Sequence, residues 1–140
     1  MRVVLDTSVI VAAVRSRHGA SNRLLTLAFL SYFKMLATPA LFLEYEDVLK
    51  RREHTRIHGM SQRSINDFLT GLAGIIEPVR IFFHWRPQLP DAADEMVLEA
   101  ALNGRADAIV THNLRDFQAA GTRFNLRIVS PATFVREVAK

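Results

Sequence analysis

Short runs of aliphatic and β-branched residues recur along this chain, each followed by a longer segment with helical spacing, and that alternation narrows the possible folds most. Arg2–Leu5, residues 33–37, Ala108–Val110 and Arg127–Val129 read as strands, and residues 75–83, interrupted by Pro78, are extended in character. After the break at His18-Gly19, Ser21 suits the cap of a helix reaching about Tyr32, with Leu24, Leu25, Leu27 and Ala28 on its apolar side. Pro39 suits the first turn of a second helix, running to about Arg52 with Leu41, Tyr45, Val48 and Leu49 facing inward. Ser61 caps a third helix that Gly74 ends, Asp91 opens a fourth that stops at Asn103-Gly104, and Pro131–Val138 closes the chain as a fifth. Strands separated by helices imply parallel strands covered on both faces. The expected fold is α/β: a three-layer α/β/α sandwich around a central, mostly parallel sheet.

A chain of 140 residues suits one domain, 1–140, because folding at this size buries roughly two-thirds of the unfolded surface. No repeat, low-complexity stretch or Pro/Gly/Ser-rich linker divides it. The chain has no cysteine, which removes disulfides, thiolate zinc sites and cysteine nucleophiles together. An acid at Asp6 leaves no room for a signal peptide, and no apolar stretch approaches the ~20 residues of a membrane span, so a cytoplasmic location is expected. The net charge of +4 favours an anionic partner such as nucleic acid, although a basic balance also serves to keep a small protein soluble.

In an open parallel sheet, ligands bind beyond the carboxyl ends of the strands. Asp6 directly follows the first strand, and Asn113 and Asp116 follow the strand at Ala108–Val110. Asp91 and Asp94 fall on one face of a first helical turn, and Glu44 lies on the Pro39 helix. Each has an ordinary explanation. Asp6 could form an Asx-turn, Asp91 could cap its helix, Asp94 could complement the helix dipole, Glu44 could be solvated, and Asp116 could cap a turn. Asp6 is the hardest to dismiss, since a carboxylate within Val3-Val4-Leu5-Asp6-Thr7-Ser8-Val9 is costly to bury without a cation or several donors. Gathered at one sheet edge, such acids repel unless a cation neutralises them, and an all-oxygen donor set suits Mg²⁺ or Mn²⁺. Those ions activate water and stabilise charge at a phosphodiester without a histidine base.

The same stretches carry a resemblance. Val3-Val4-Leu5-Asp6-Thr7-Ser8-Val9, Leu43-Glu44-Tyr45-Glu46-Asp47-Val48-Leu49, Asp91-Ala92-Ala93-Asp94-Glu95-Met96 and Ala108-Ile109-Val110-Thr111-His112-Asn113-Leu114-Arg115-Asp116-Phe117 resemble, in this order, the motifs of the PIN-domain family. They look most like its VapC-like toxin components of toxin–antitoxin systems. The resemblance implies a Mg²⁺- or Mn²⁺-dependent ribonuclease whose acidic centre maps onto Asp6, Glu44, Asp94 and Asp116. It further implies a homodimer, and an antitoxin whose C-terminal segment fills the active-site groove. Asn113 stands where many relatives have Asp, and Ala92-Ala93 where many have another acid, which puts tight binding of a second metal in doubt. Ser8 stands where many have Asn, and its hydroxyl can still hydrogen-bond near Asp6.

Other features carry weaker signals. Lys50, Arg51, Arg52, Arg56 and Arg63 concentrate charge around one helix end and the following loop, where Arg51, Arg52 and Arg56 could grip RNA phosphates or simply be solvated. His54 and His58 have i,i+4 spacing for zinc, but lack the intervening Glu of a zincin and read as surface histidines. Thr111 could orient a carboxylate or water, and Trp85 could stack on a base, although a lone Trp more commonly packs. Two further functions compete with the nuclease: a metal-dependent phosphohydrolase of small esters, and a PIN-like module that binds RNA or protein with weakened catalysis. The former lacks the acid two residues after Asp6 that a phosphoaspartate phosphatase uses. The absence of G-x-x-x-x-G-K-S/T and G-x-G-x-x-G removes nucleotide triphosphatase and dinucleotide readings.

Overall fold

The structure, a computed structural model, describes residues 1–84 and 88–139. Trp85 therefore lies outside the described residues. Five strands, β1 (Arg2–Leu5), β2 (Lys34–Ala37), β3 (Ile76–Pro78), β4 (Ala108–Val110) and β5 (Arg127–Val129), form one sheet in the order β3-β2-β1-β4-β5. Every pairing is parallel, so the sheet is wholly rather than mostly parallel among the described residues. Val3, Val4 and Leu5 are fully buried, as are Ala108, Ile109 and Val110, which is why these two central strands are apolar apart from Arg2 at the start of β1.

From β1 the chain steps outward to β2 and β3, then crosses back to β4 and β5 on the other side. Right-handed crossovers put the first group of helices on one face and the second on the opposite face. The first group is α1 (Thr7–Arg15), α2 (Ala20–Phe29), α3 (Pro39–Lys50), α4 (Arg52–His58) and α5 (Gln62–Ile75). The second is α6 (Ala92–Asn103), which crosses β1, β2 and β4, and α7 (Leu114–Arg123), which packs beside β5. The last helix, α8 (Pro131–Val138), returns to the first layer against α2, where Phe134 meets Phe33 edge-on at 5.2 Å. The result is a three-layer α/β/α sandwich whose strand order reverses between β1 and β4. That switch point places the residues following both strands at a common crevice.

Several local expectations shift. Residues 7–15 form α1 directly after Asp6, although Val9-Ile10-Val11 is β-branched; burial of Val9, Ile10, Val11 and Ala13 outweighs their weak helix propensity. The cap of α2 is Gly19 instead of Ser21, and the helix ends at Phe29, with Ser31 at φ 66° turning the chain. The Pro39 helix stops at Lys50 because Arg51 is extended, and the basic stretch beyond it is a helix, α4, instead of a loop. Gly74 lies inside α5, and only residues 76–78 of the extended stretch pair as a strand. Thr38, Ser61, Asp91 and Ser130 each accept a backbone N–H at a helix start, the last three at serine or aspartate caps readable from composition. No helix among the described residues is long and apolar enough to cross a membrane.

Candidate active site

Asp6 is the last residue before α1 and is only 5% exposed. Its side chain does not cap that helix, so the turn explanation fails. Instead Oδ2 accepts two hydroxyls, from Thr111 Oγ1 at 2.6 Å and Ser8 Oγ at 2.8 Å. Its backbone N–H donates to Val110 O at 2.9 Å, which pins the end of β1 to the end of β4 across the switch point. No cationic side chain forms an ion pair with Asp6 among the described residues. A buried carboxylate supported only by neutral hydroxyls is costly unless it is offset by another charge.

The hydroxyl shell is itself braced. Thr111 is completely buried, and its Oγ1 also accepts from Asn113 N at 2.9 Å, shaping the turn from β4 into α7. Ser8 Oγ accepts from His112 N at 3.3 Å. On the other side, the fully buried Tyr45 donates its hydroxyl to the carbonyl of Leu5 at 2.5 Å. Burial, helped by the charge of Asp6, drives the Tyr45 phenol well above its ordinary range, so it stays a donor.

The remaining acids approach from α3, α6 and α7. Asp94 is half-buried in the first turn of α6, and its carboxyl is raised to about 6, first by burial and then by Asp6, Asp91 and Asp116. Three acids from three separate stretches thus act on Asp94. Asp91, Asp94 and Asp116 line a single cleft of about 350 Å³ together with Arg115 and residues 88–90. Asp91 fills its ordinary role, accepting from Ala93 N at 2.8 Å as the α6 cap. Asp116 is exposed in the first turn of α7. Asn113 precedes that helix without capping it through its side chain. Glu44, half-buried on α3, is raised by burial, opposed by Arg51 and reinforced by Asp47 and Asp91. It is linked to the group through Asp91, and is not among the charges acting on Asp94. Among the described residues, no three histidine or acidic side chains stand close enough to hold one ion as placed.

The profile of the PIN-domain family matches residues 2–115. This chain belongs to the PIN-domain family. PIN domains are generally nucleases, and they typically use divalent metals. No curated protein matches the chain. The matched region takes in Asp6, Glu44, Asp94 and Asn113 and ends one residue before Asp116. The donor chemistry of this PIN domain fits a hard cation: oxygen ligands only, an Asp94 raised first by burial and then by three neighbouring acids, and a buried Asp6 with no cationic partner among the described residues.

The basic residues divide. Lys50 and Arg51 are occupied by Glu46 and Asp47, each at 2.8 Å, whereas Arg52, Arg56 and Arg63 are exposed and make no ion pair among the described residues. His58 is not a free ligand, because Nε2 meets Leu49 O at 3.1 Å and Nδ1 accepts from Met60 N at 3.0 Å. His54 Nδ1 accepts from Arg15 Nη2 at 2.8 Å. Sequence reasoning overlooked Glu95. It is 6% exposed and accepts from the backbone N–H groups of Gln88 and Leu89, tying one wall of the acidic cleft to α6. Glu99, one turn on and equally buried, meets His84 Nδ1 at 2.9 Å. Two acids at i,i+4 on a buried helix stripe were the available signal.

Proposed function

We propose that this PIN domain is a metal-dependent endoribonuclease that hydrolyses RNA phosphodiesters, with Asp6, Glu44, Asp94 and Asp116 as the ligands of Mg²⁺ or Mn²⁺. The observation that carries the reading is the raised Asp94 carboxyl, pushed up by burial and by Asp6, Asp91 and Asp116 at the sheet's switch point. When bound, a hard divalent ion supplies Lewis-acid activation of water and neutralises charge at the phosphodiester. Thr111 and Ser8 hold Asp6 by Oδ2, leaving Oδ1 with no hydrogen bond among the described residues and so available as a ligand. Asp94 and Asp116 supply charge from the open side of the cleft, and Asn113 is a neutral neighbour where a further acid would favour a second ion. Arg115 in the cleft wall and the unpaired Arg52 and Arg56 offer cations for the RNA backbone.

The proposal includes a cytoplasmic toxin of a paired module, restrained by an antitoxin protein and acting as a homodimer; the order of the four motifs supports it. The test is cleavage of single-stranded RNA by the purified protein with Mn²⁺, with and without EDTA, beside Asp6→Asn. Cutting that needs the ion and disappears in Asp6→Asn is expected, and equal cutting by both proteins would sink the assignment. A second reading is favoured by the spacing of the acids, none of which form a ready trio among the described residues. It makes the domain an RNA- or protein-binding module with weak catalysis, and RNA binding without cutting in Mn²⁺ would select it.

A further inference from the structure

A second cleft, of about 400 Å³, adjoins the candidate active site from the α1 side. Its floor is apolar, made by Val11, Ala12 and Val48, and its rim carries Arg15, His54 and His112. Arg15 Nη2 donates to His54 Nδ1 at 2.8 Å, so a guanidinium and an imidazole are joined edge to edge beside that floor. Burial, followed by the Arg15 charge, lowers the His54 pKa, which keeps the ring neutral. Ser8 and Thr7 form the remaining wall. Ser8 is the residue whose hydroxyl donates to Asp6 and accepts from the His112 N–H, so this wall is the reverse side of the shell around Asp6.

We propose that this cleft is a nucleobase subsite for single-stranded RNA, seating the base next to the phosphate that lies at Asp6. A phosphate alone does not suit a floor of Val11, Ala12 and Val48, and an aliphatic ligand does not use the Arg15 cation and the imidazole edges on the rim. A nucleobase has both a flat apolar face and a polar edge, and it arrives attached to an anionic chain that Arg15 can attract. Stacking on side chains reads no particular sequence, so the subsite sets where RNA lies and not which base it carries. The inference takes the position of the phosphate from the nuclease reading, but base binding can be measured without any cutting.

The experiment measures binding of a short labelled single-stranded RNA in EDTA, together with a series of the same RNA in which one base at a time is removed. Wild type is compared with Ala12→Trp, which fills the cleft, and with His54→Ala, which removes part of its rim. Circular dichroism confirms that each variant is folded. Loss of one particular base weakens wild-type binding by roughly 5-fold, the low end of the range for a base on an aromatic ring, because this floor is aliphatic. Ala12→Trp weakens the intact RNA by a similar factor and leaves the RNA lacking that base unaffected, with His54→Ala showing the same pattern at smaller size. Equal loss for intact and abasic RNA, no loss in either variant, or no RNA binding at all overturns the subsite. Should Ala12→Trp fail to fold, His54→Ala decides alone. The same RNAs with Mn²⁺ report separately on the nuclease: coupling without cutting keeps the subsite and rejects the nuclease, whereas cutting without coupling does the reverse.

Discussion

Asp94→Asn is expected to make the metal-free protein more stable at neutral and alkaline pH while abolishing its RNA cleavage. The carboxyl rises from an ordinary 3.8 to about 6, with burial the largest cause and Asp6, Asp91 and Asp116 following. The folded chain therefore holds this proton more tightly than the unfolded chain. The associated stability is fully present below about pH 4 and is lost as the pH rises through about 6. Unscreened, that interval corresponds to about 3 kcal/mol. Asp94 is only half-buried, and solvent screening reduces the expectation to about 1–1.5 kcal/mol. For a chain of 140 residues this is a rise in Tm of about 3–5 °C for the asparagine variant. The assay is thermal unfolding by circular dichroism in EDTA across the pH range, repeated with Mn²⁺. The variant's advantage should be absent near pH 4, grow between about pH 4 and 6 and be complete above about pH 6, and Mn²⁺ should stabilise wild type far more than the variant. A gain that persists unchanged in acid, or none at alkaline pH, would refute the raised Asp94 carboxyl; equal stabilisation of both proteins by Mn²⁺ would refute Asp94 as a ligand.

Three further outcomes follow from packing and hydrogen bonding. Thr111→Val removes the 2.6 Å donor to a buried carboxylate and should cost about 1.5–3 kcal/mol in urea unfolding at neutral pH, with reduced RNA cleavage; Thr111→Ser should retain both, and an unchanged urea midpoint for the valine would contradict the role given to the hydroxyl. Tyr45→Phe leaves the Leu5 carbonyl without its side-chain donor and should lower stability by about 1–3 kcal/mol, checked by the same denaturation; wild-type stability would show that the bond contributes nothing. Gly121→Ala should destabilise by about 1–3 kcal/mol, because a Cβ there would sit 2.7 Å from Ile128 Cγ1 and 2.9 Å from Leu126 O where α7 crosses β5. A Tm equal to wild type would mean that α7 can move away from β5 freely.

What could be read in advance depended on whether a residue answers to its own neighbours or to distant ones. The strand at Arg2–Leu5, the Ser61 and Asp91 caps and the helix at Pro131–Val138 are specified locally, by β-branched runs, short polar caps and an N-terminal proline, and they appear where those signals put them. Helix α1 was hidden because its own residues favour a strand; it is stabilised by burying Val9 and Ile10 against the first layer, a property of the whole fold. The largely polar segment 114–123 buries Phe117, Ala120 and Gly121 on one side, and these reveal the helix once β5 is in place.

The site divides along the same line. Asp6 stood out because an acid in an apolar run is locally anomalous, and Thr111 and Ser8 could be read as hydroxyls near it, whereas Tyr45, readable only as core, acquires its role when its hydroxyl reaches the Leu5 carbonyl. Glu95 carried a readable contradiction, a charge on a helix's buried stripe, and its resolution lies in two backbone N–H groups of a loop that no local pattern could connect to it. Asp6 was therefore visible as a violation of pattern, whereas Glu44, Asp94 and Asp116 each had an ordinary reading and were marked only by their shared place at one end of the sheet, and the groups that brace Asp6 are residue types common in cores and turns. This predicts where substitutions should be misjudged. Changes at Thr111 or Tyr45 look conservative in the sequence, yet they should perturb the environment of Asp6 more than changes at Glu46 or Asp47, whose partners Lys50 and Arg51 are solvated helix neighbours.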